Sequence, residues 1–124
     1  SSAIDTDFCA KMCDVHPDGK AYFLMLGFVR MRFMDSVRAT HGVEGDKVYR
    51  LEVHLGHIAH CFMKGHRIQI QVTSSDFPNH ERNLNTGGSN ERDSEEVKAH
   101  QTIFHGGRYD SHLQLPVLEV RDNF

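Results

Sequence analysis

Tryptophan is absent from these 124 residues, and proline and cysteine are scarce at three each. Without tryptophan the chain lacks the broad aromatic platform that sugar faces favour, although Tyr22, Tyr49 and Tyr109 remain. Three cysteines (Cys9, Cys13 and Cys61) are odd in number and too few for a disulfide framework. On one strand Cys9 and Cys13 would stand about 13 Å apart, beyond bonding reach. All three are expected to be small buried hydrophobes in a reducing compartment, which favours the cytoplasm. No stretch approaches the roughly 20 apolar residues of a membrane-crossing helix, and the longest, Ala21 to Leu26, is strand-sized. Basic excess is missing too. The formal net charge is -3 and the arginines are scattered, which argues against a nucleic-acid partner.

What is present looks globular. Hydrophobic residues at 39% and charged residues at 25% match an ordinary soluble fold and not a disordered one. The length fits one domain over residues 1–124, able to bury roughly two-thirds of its unfolded surface. The opening Ser1-Ser2-Ala3-Ile4-Asp5 is neither a signal peptide nor an initiator start, so the chain reads as a processed product or a piece of a longer protein.

Apolar residues recur with a period of two, the mark of half-buried strands. Phe8, Ala10 and Met12 alternate with Cys9 and Lys11, and His16-Pro17-Asp18-Gly19 follows as a turn. Val29, Met31 and Phe33 alternate with Arg30 and Arg32. Tyr49, Leu51, Val53 and Leu55 oppose Arg50, Glu52 and His54. Met63-Lys64-Gly65 is a second turn, after which Ile68, Ile70 and Val72 alternate with Gln69, Gln71 and Thr73. Ser74 to about Glu95 is polar, and loops of that length are often functional. Alternation resumes at Val97–Ile103 and Leu113–Val117. Six or seven strands and no secure helix predict an all-β chain. One sheet would leave an apolar face wet, so two sheets packed as a β-sandwich are expected.

Three groups of residues resemble one family. They are Asp5-Thr6-Asp7-Phe8-Cys9-Ala10-Lys11 with Asp14-Val15-His16-Pro17-Asp18-Gly19; Gly65-His66-Arg67-Ile68 with Ser74-Ser75-Asp76-Phe77-Pro78 and Arg82-Asn83-Leu84-Asn85-Thr86-Gly87; and Gln101-Thr102-Ile103-Phe104-His105 with Ser111 to Val117. In consistent order they are similar to the later part of the C-terminal jelly roll of X-Pro dipeptidyl-peptidase and cocaine-esterase-like serine hydrolases. α-Amino-acid ester hydrolases and glutaryl acylases belong to the same group. The resemblance implies a galactose-binding-like jelly roll beside an α/β-hydrolase domain that holds the Ser-His-Asp triad upstream. It also implies that the domain's N-terminal strands are missing here. Such a chain would be a piece of a longer hydrolase, or identical copies would complete each other's sheets; self-association is the expected outcome, because bare strand edges aggregate. No Gly-x-Ser-x-Gly nucleophile elbow occurs, and Gly87-Gly88-Ser89-Asn90-Glu91 lacks the second glycine in its place.

His54, His57 and His60 come at spacing three, but on a continuous strand His57 points away from the other two, so no metal is expected there. Cys61 beside His60 or His66 lacks an orienting third group for nucleophilic chemistry, and a buried structural thiol is expected. Asp5, Asp7, Asp14 and Asp18 lack the spacing of a calcium loop. In the Ser74–Gly87 loop, Ser74, Ser75 and Asp76 are expected to close turns, Phe77-Pro78 to plug an apolar surface, and Arg82 to clamp Asp76 or a carbonyl. Arg82, Asn83 and Asn85 could instead meet a polar ligand. The predicted function is a non-catalytic accessory domain without cofactor, partnered by a hydrolase domain or by itself; the alternative is a stand-alone carbohydrate- or small-ligand-binding module.

Overall fold

The computed structural model describes residues 1–35 and 43–118. Three strands form one antiparallel sheet in the order β2-β1-β3: β1 is Asp7–Val15, β2 is Ala21–Arg30 and β3 is Arg67–Thr73. A 3-10 turn, Met31–Phe33, follows β2.

The β1–β2 hairpin is closed by the turn that the sequence announces. Gly19 N–H donates to the His16 carbonyl at 2.9 Å, and His16 N–H to that of Lys20 at 2.9 Å. Gly19 sits at φ 87°, a left-handed value that disfavours a side chain. The Asp18 carboxylate accepts Lys20 N–H at 3.0 Å, which holds the Asp18 carboxyl below its ordinary range. Along the pair, Met12 faces Met25 and Cys13 faces Phe23, so Leu24 is the extra residue of a bulge. A second turn brings in β3: His66 N–H donates to the Met63 carbonyl at 3.0 Å, with Gly65 at φ 88°.

Register decides which residues share a face. Ala10, Met12 and Asp14 stand opposite Val72, Ile70 and Ile68, with Phe8 on the same side. Phe8 packs with Met31 and Val43 in the core, where Met34, Tyr49 and Leu51 join them. The chain around Val53 and His54 lies hard against β2: a Cβ built on Gly27 would fall 2.5 Å from the His54 carbonyl oxygen. The opposite face carries Cys9, Lys11 and Cys13. Over it folds the Asp76–His80 turn, with the His80 ring stacked on Phe28 at 4.0 Å.

Two expectations change. Val29-Met31-Phe33 is not one strand. Met31 N–H still reaches the Thr6 carbonyl at 2.9 Å, in line with the β1–β2 register. The next donor, Arg32 N–H, goes to the Asp5 carboxylate at 3.0 Å and Met34 N–H to the Met31 carbonyl at 3.1 Å, so the ladder ends and the chain turns. The alternating segments at Tyr49–Leu55, Val97–Ile103 and Leu113–Val117 join no sheet among the described residues. Alternation marks a half-buried extended chain, but a strand also needs a hydrogen-bonding neighbour. The chain is all-β as expected, with fewer paired strands.

Candidate functional site

Two buried polar clusters organise the molecule. The first grows from Asp5-Thr6-Asp7, whose side chains are almost fully buried. Two arginines spaced by two meet two aspartates spaced by two. Arg30 grips Asp7 with two bonds, Nε to Oδ1 at 2.9 Å and a terminal nitrogen to Oδ2 at 3.1 Å. Arg32 Nε donates to Asp5 Oδ2 at 2.6 Å, and Arg32 also reaches the Gly88 carbonyl at 2.6 Å. Asn83 bridges the two acids, its Nδ2 donating to Asp5 Oδ2 and Asp7 Oδ1 at 2.8 Å each. Buried carboxylates survive because each is paired and hydrogen-bonded. The bond from Asp7 raises the affinity of Arg30 for its proton, against the opposing effect of burial and with further help from Glu81. Glu81, bonded to Arg30 at 2.9 Å, is held below its ordinary range by that bond. Gln101 donates to the Thr6 hydroxyl, tying in the late segment.

The second cluster surrounds Asp14, near the end of β1. His66 Nδ1 lies 2.9 Å from Oδ1, His60 Nε2 lies 3.0 Å from Oδ2, and His16 Nε2 stands 3.8 Å from Oδ2. Burial alone would push the Asp14 carboxyl up; the bonds from His66 and His60 prevail and hold it below its ordinary value.

The residues singled out in the sequence fall into distinct places. His54 is exposed beside Glu52 at 3.7 Å and His57 is exposed, whereas His60 turns to Asp14, so the three histidines do not converge. Cys61 is exposed, not buried, and His60 and His66 are engaged by Asp14. Asp5 and Asp7 face arginines and Asp18 faces Lys20 at 3.0 Å. No calcium shell forms from them. Asp76 pairs with His80 at 3.0 Å, and that bond lowers its carboxyl against the pull of burial. Arg82 does not clamp Asp76; it lies 3.7 Å from Glu96, both side chains well exposed. Phe77 is 70% exposed and plugs nothing among the described residues. Ser75 Oγ accepts Phe77 N–H at 3.4 Å, and the Ser75 carbonyl accepts the Thr73 hydroxyl just across Ser74. Asn83 and Asn85 are consumed internally: Asn83 Oδ1 accepts Asn85 N–H at 2.9 Å, and Asn85 Nδ2 donates to the Val97 carbonyl at 2.8 Å. Arg67 opens β3 opposite Val15. Sequence reading missed Arg30, Arg32 and His16, although the matched two-residue spacings of acids and arginines were there to be found.

Among the described residues no serine hydroxyl or cysteine thiol is hydrogen-bonded to a histidine ring. Burial pushes the Cys9 thiol up, away from reactivity. The described residues contain no helix long and apolar enough to cross a membrane.

Comparison with known proteins agrees. A family described as the X-Pro dipeptidyl-peptidase C-terminal non-catalytic domain matches residues 1–114. This chain belongs to that family. The cocaine esterase of Rhodococcus sp. (strain MB1 Bresler) is 40% identical over 121 residues, which is 96% of this chain. This chain spans 21% of that relative's length. The crystal structure of an aminopeptidase from a marine sediment archaeon, Thaumarchaeota archaeon, superimposes with a TM-score of 0.65 at 33% identity. The match covers 68% of this chain and 15% of that one. It is consistent with the β-sandwich expected of such a C-terminal domain.

Proposed function

We propose that this chain is an accessory scaffold of an acyl or X-Pro hydrolase, a galactose-binding-like jelly-roll portion that buttresses an α/β-hydrolase domain and turns over nothing itself. The observation that carries the proposal is the outer strand. Ile68, Ile70 and Val72 share a face with the buried Met12, yet remain 47%, 39% and 45% exposed. β3 pairs only with β1, so its other edge has no strand beside it among the described residues. An apolar face next to an open edge is a surface built to be covered. Burying the remaining area of three such side chains is worth about 2–4 kcal/mol. The occupant we assign is the rest of a hydrolase chain, in keeping with the family and with the small share of the esterase that this chain spans. Carbohydrate binding has less behind it: Tyr22 stacks on His16, Tyr49 packs in the core and Tyr109 lies against Phe104, so the tyrosines are engaged separately.

The test is complementation. A cocaine esterase shortened by its own C-terminal domain is mixed with this chain and passed over a sizing column. A complex that restores the thermal stability of the esterase supports the assignment. Two separate peaks, with the chain alone a stable monomer, refute it.

A further inference from the structure

The Asp14 cluster has properties that the scaffold role does not use. Its members come from three places: Asp14 from β1, His16 from the hairpin turn, and His60 and His66 from the segment leading into β3. Asp14 is 3% exposed, and the partners the structure gives its carboxylate are histidines, with no lysine or arginine among the described residues. The donor atoms of Asp14, His16 and His66 lie within 4.8 Å of one another, and His60 Nε2 is 3.0 Å from Asp14 Oδ2. The ring of His16 stands 4.2 Å from that of His66 and 4.3 Å from that of Tyr22, which steadies its orientation.

We infer that Asp14, His16 and His66 form a binding site for a borderline divalent cation, zinc above all, with His60 held against the same carboxylate. Zinc takes imidazole nitrogen and carboxylate oxygen at about 2.0–2.1 Å in a tetrahedron, which places ligand atoms roughly 3.3 Å apart. His66 Nδ1 stands 3.0 Å from Asp14 Oδ2, already near that value, and His16 Nε2 at 3.8 Å from the same oxygen closes the rest by a small side-chain rotation. Imidazole with a single carboxylate selects zinc, copper or nickel over calcium and magnesium, which demand oxygen shells. Three protein ligands hold the ion and leave the fourth tetrahedral position to water. The ion would staple the start of β3 to the hairpin, linking Asp14 and His66, 52 positions apart in sequence. Metal bound only by the folded chain adds directly to its stability.

The experiment titrates the metal-free chain with Zn²⁺ by calorimetry, and with Co²⁺ by visible absorption, at neutral pH. One equivalent should bind, the Co²⁺ form should show the intense bands of a tetrahedral site, and the melting temperature should rise with Zn²⁺. Because Asp14→Asn could unfold a buried position, the deciding variant is His16→Gln, whose imidazole is 38% exposed. It should weaken Zn²⁺ binding at least tenfold and abolish the tetrahedral Co²⁺ bands, whereas His54→Gln and His57→Gln leave both unchanged. Absence of saturable binding, or binding that His16→Gln leaves intact, overturns the assignment.

Discussion

Asn83→Ala removes a single amide that holds two buried carboxylates at once. Its Nδ2 donates to Asp5 and Asp7 at 2.8 Å each, and its Oδ1 fixes the turn at Asn85. Hydrogen bonds to charged groups contribute about 1.5–3 kcal/mol each, and the turn bond about 1 kcal/mol. Alanine also leaves two like charges facing each other with nothing between them. Arg30 and Arg32 still hold their own aspartates, so part of the loss is recovered and the expected cost is about 3–5 kcal/mol. Against a total stability of about 5–15 kcal/mol for a domain, that is a large share. The assay is urea unfolding followed by far-ultraviolet circular dichroism, since the chain has no tryptophan to report by fluorescence. Arg82→Ala is the control: its ion pair with Glu96 is long and exposed, so its removal should cost no more than about 0.5 kcal/mol. If Asn83→Ala costs under about 1 kcal/mol, or no more than Arg82→Ala, the two-acid clamp does not hold the fold together as argued.

Other outcomes follow from the same geometry. Gly27→Ala places a methyl 2.5 Å from the backbone oxygen of His54, which cannot swing aside, and should lower the urea midpoint by the equivalent of about 1–3 kcal/mol. Gly88→Ala meets side-chain ends alone, the Asp93 carboxylate at 2.1 Å and the Thr86 hydroxyl at 3.3 Å, and should cost distinctly less; equal effects would mean that the segment at His54 does not lie on β2. The carboxyls of Asp14 and Asp76 are held below their ordinary values, so the stability they supply is in place above the unfolded carboxylate range near pH 4 and is lost as pH falls through their lowered values. The melting temperature should therefore drop on acidification below about pH 4, and Asp76→Asn should flatten that drop; an unchanged acid profile in the variant would contradict it. Finally, p-nitrophenyl esters and X-Pro-coumarin substrates should stay uncleaved at high protein concentration, and turnover that survives purification would end the non-catalytic account.

Part of this structure was legible in the sequence, for local reasons. β1, β3 and the Pro17-Asp18-Gly19 turn follow from alternation and turn chemistry, both set by near neighbours. The strings around Asp5-Thr6-Asp7-Phe8 and Arg82-Asn83-Leu84-Asn85 marked the family, and the structure brings them together: Arg30 and Arg32 neutralise a pair of buried acids that Asn83 bridges by hydrogen bonds. The 3-10 turn after β2 was not legible, because the Arg32 backbone donor is captured by the side chain of Asp5, 27 positions away. The same holds for Asp14 and His66, 52 positions apart. The alternating segments past Val48 show the limit of periodicity, which identifies the apolar face of an extended chain and is silent about which strand lies beside it.

Sedimentation velocity across a wide concentration range, on the natural chain and on Ile70→Lys, tests most directly whether the β3 face is a docking surface. Taken alone, the natural chain should show concentration-dependent association through that face. The lysine should suppress it while lowering the urea midpoint by the equivalent of no more than about 1–2 kcal/mol, the worth of the part of Ile70 already buried, the side chain being 39% exposed. A natural chain that sediments as a monomer throughout, with a cooperative melt independent of concentration, and that forms no complex with the shortened esterase, would contradict the account.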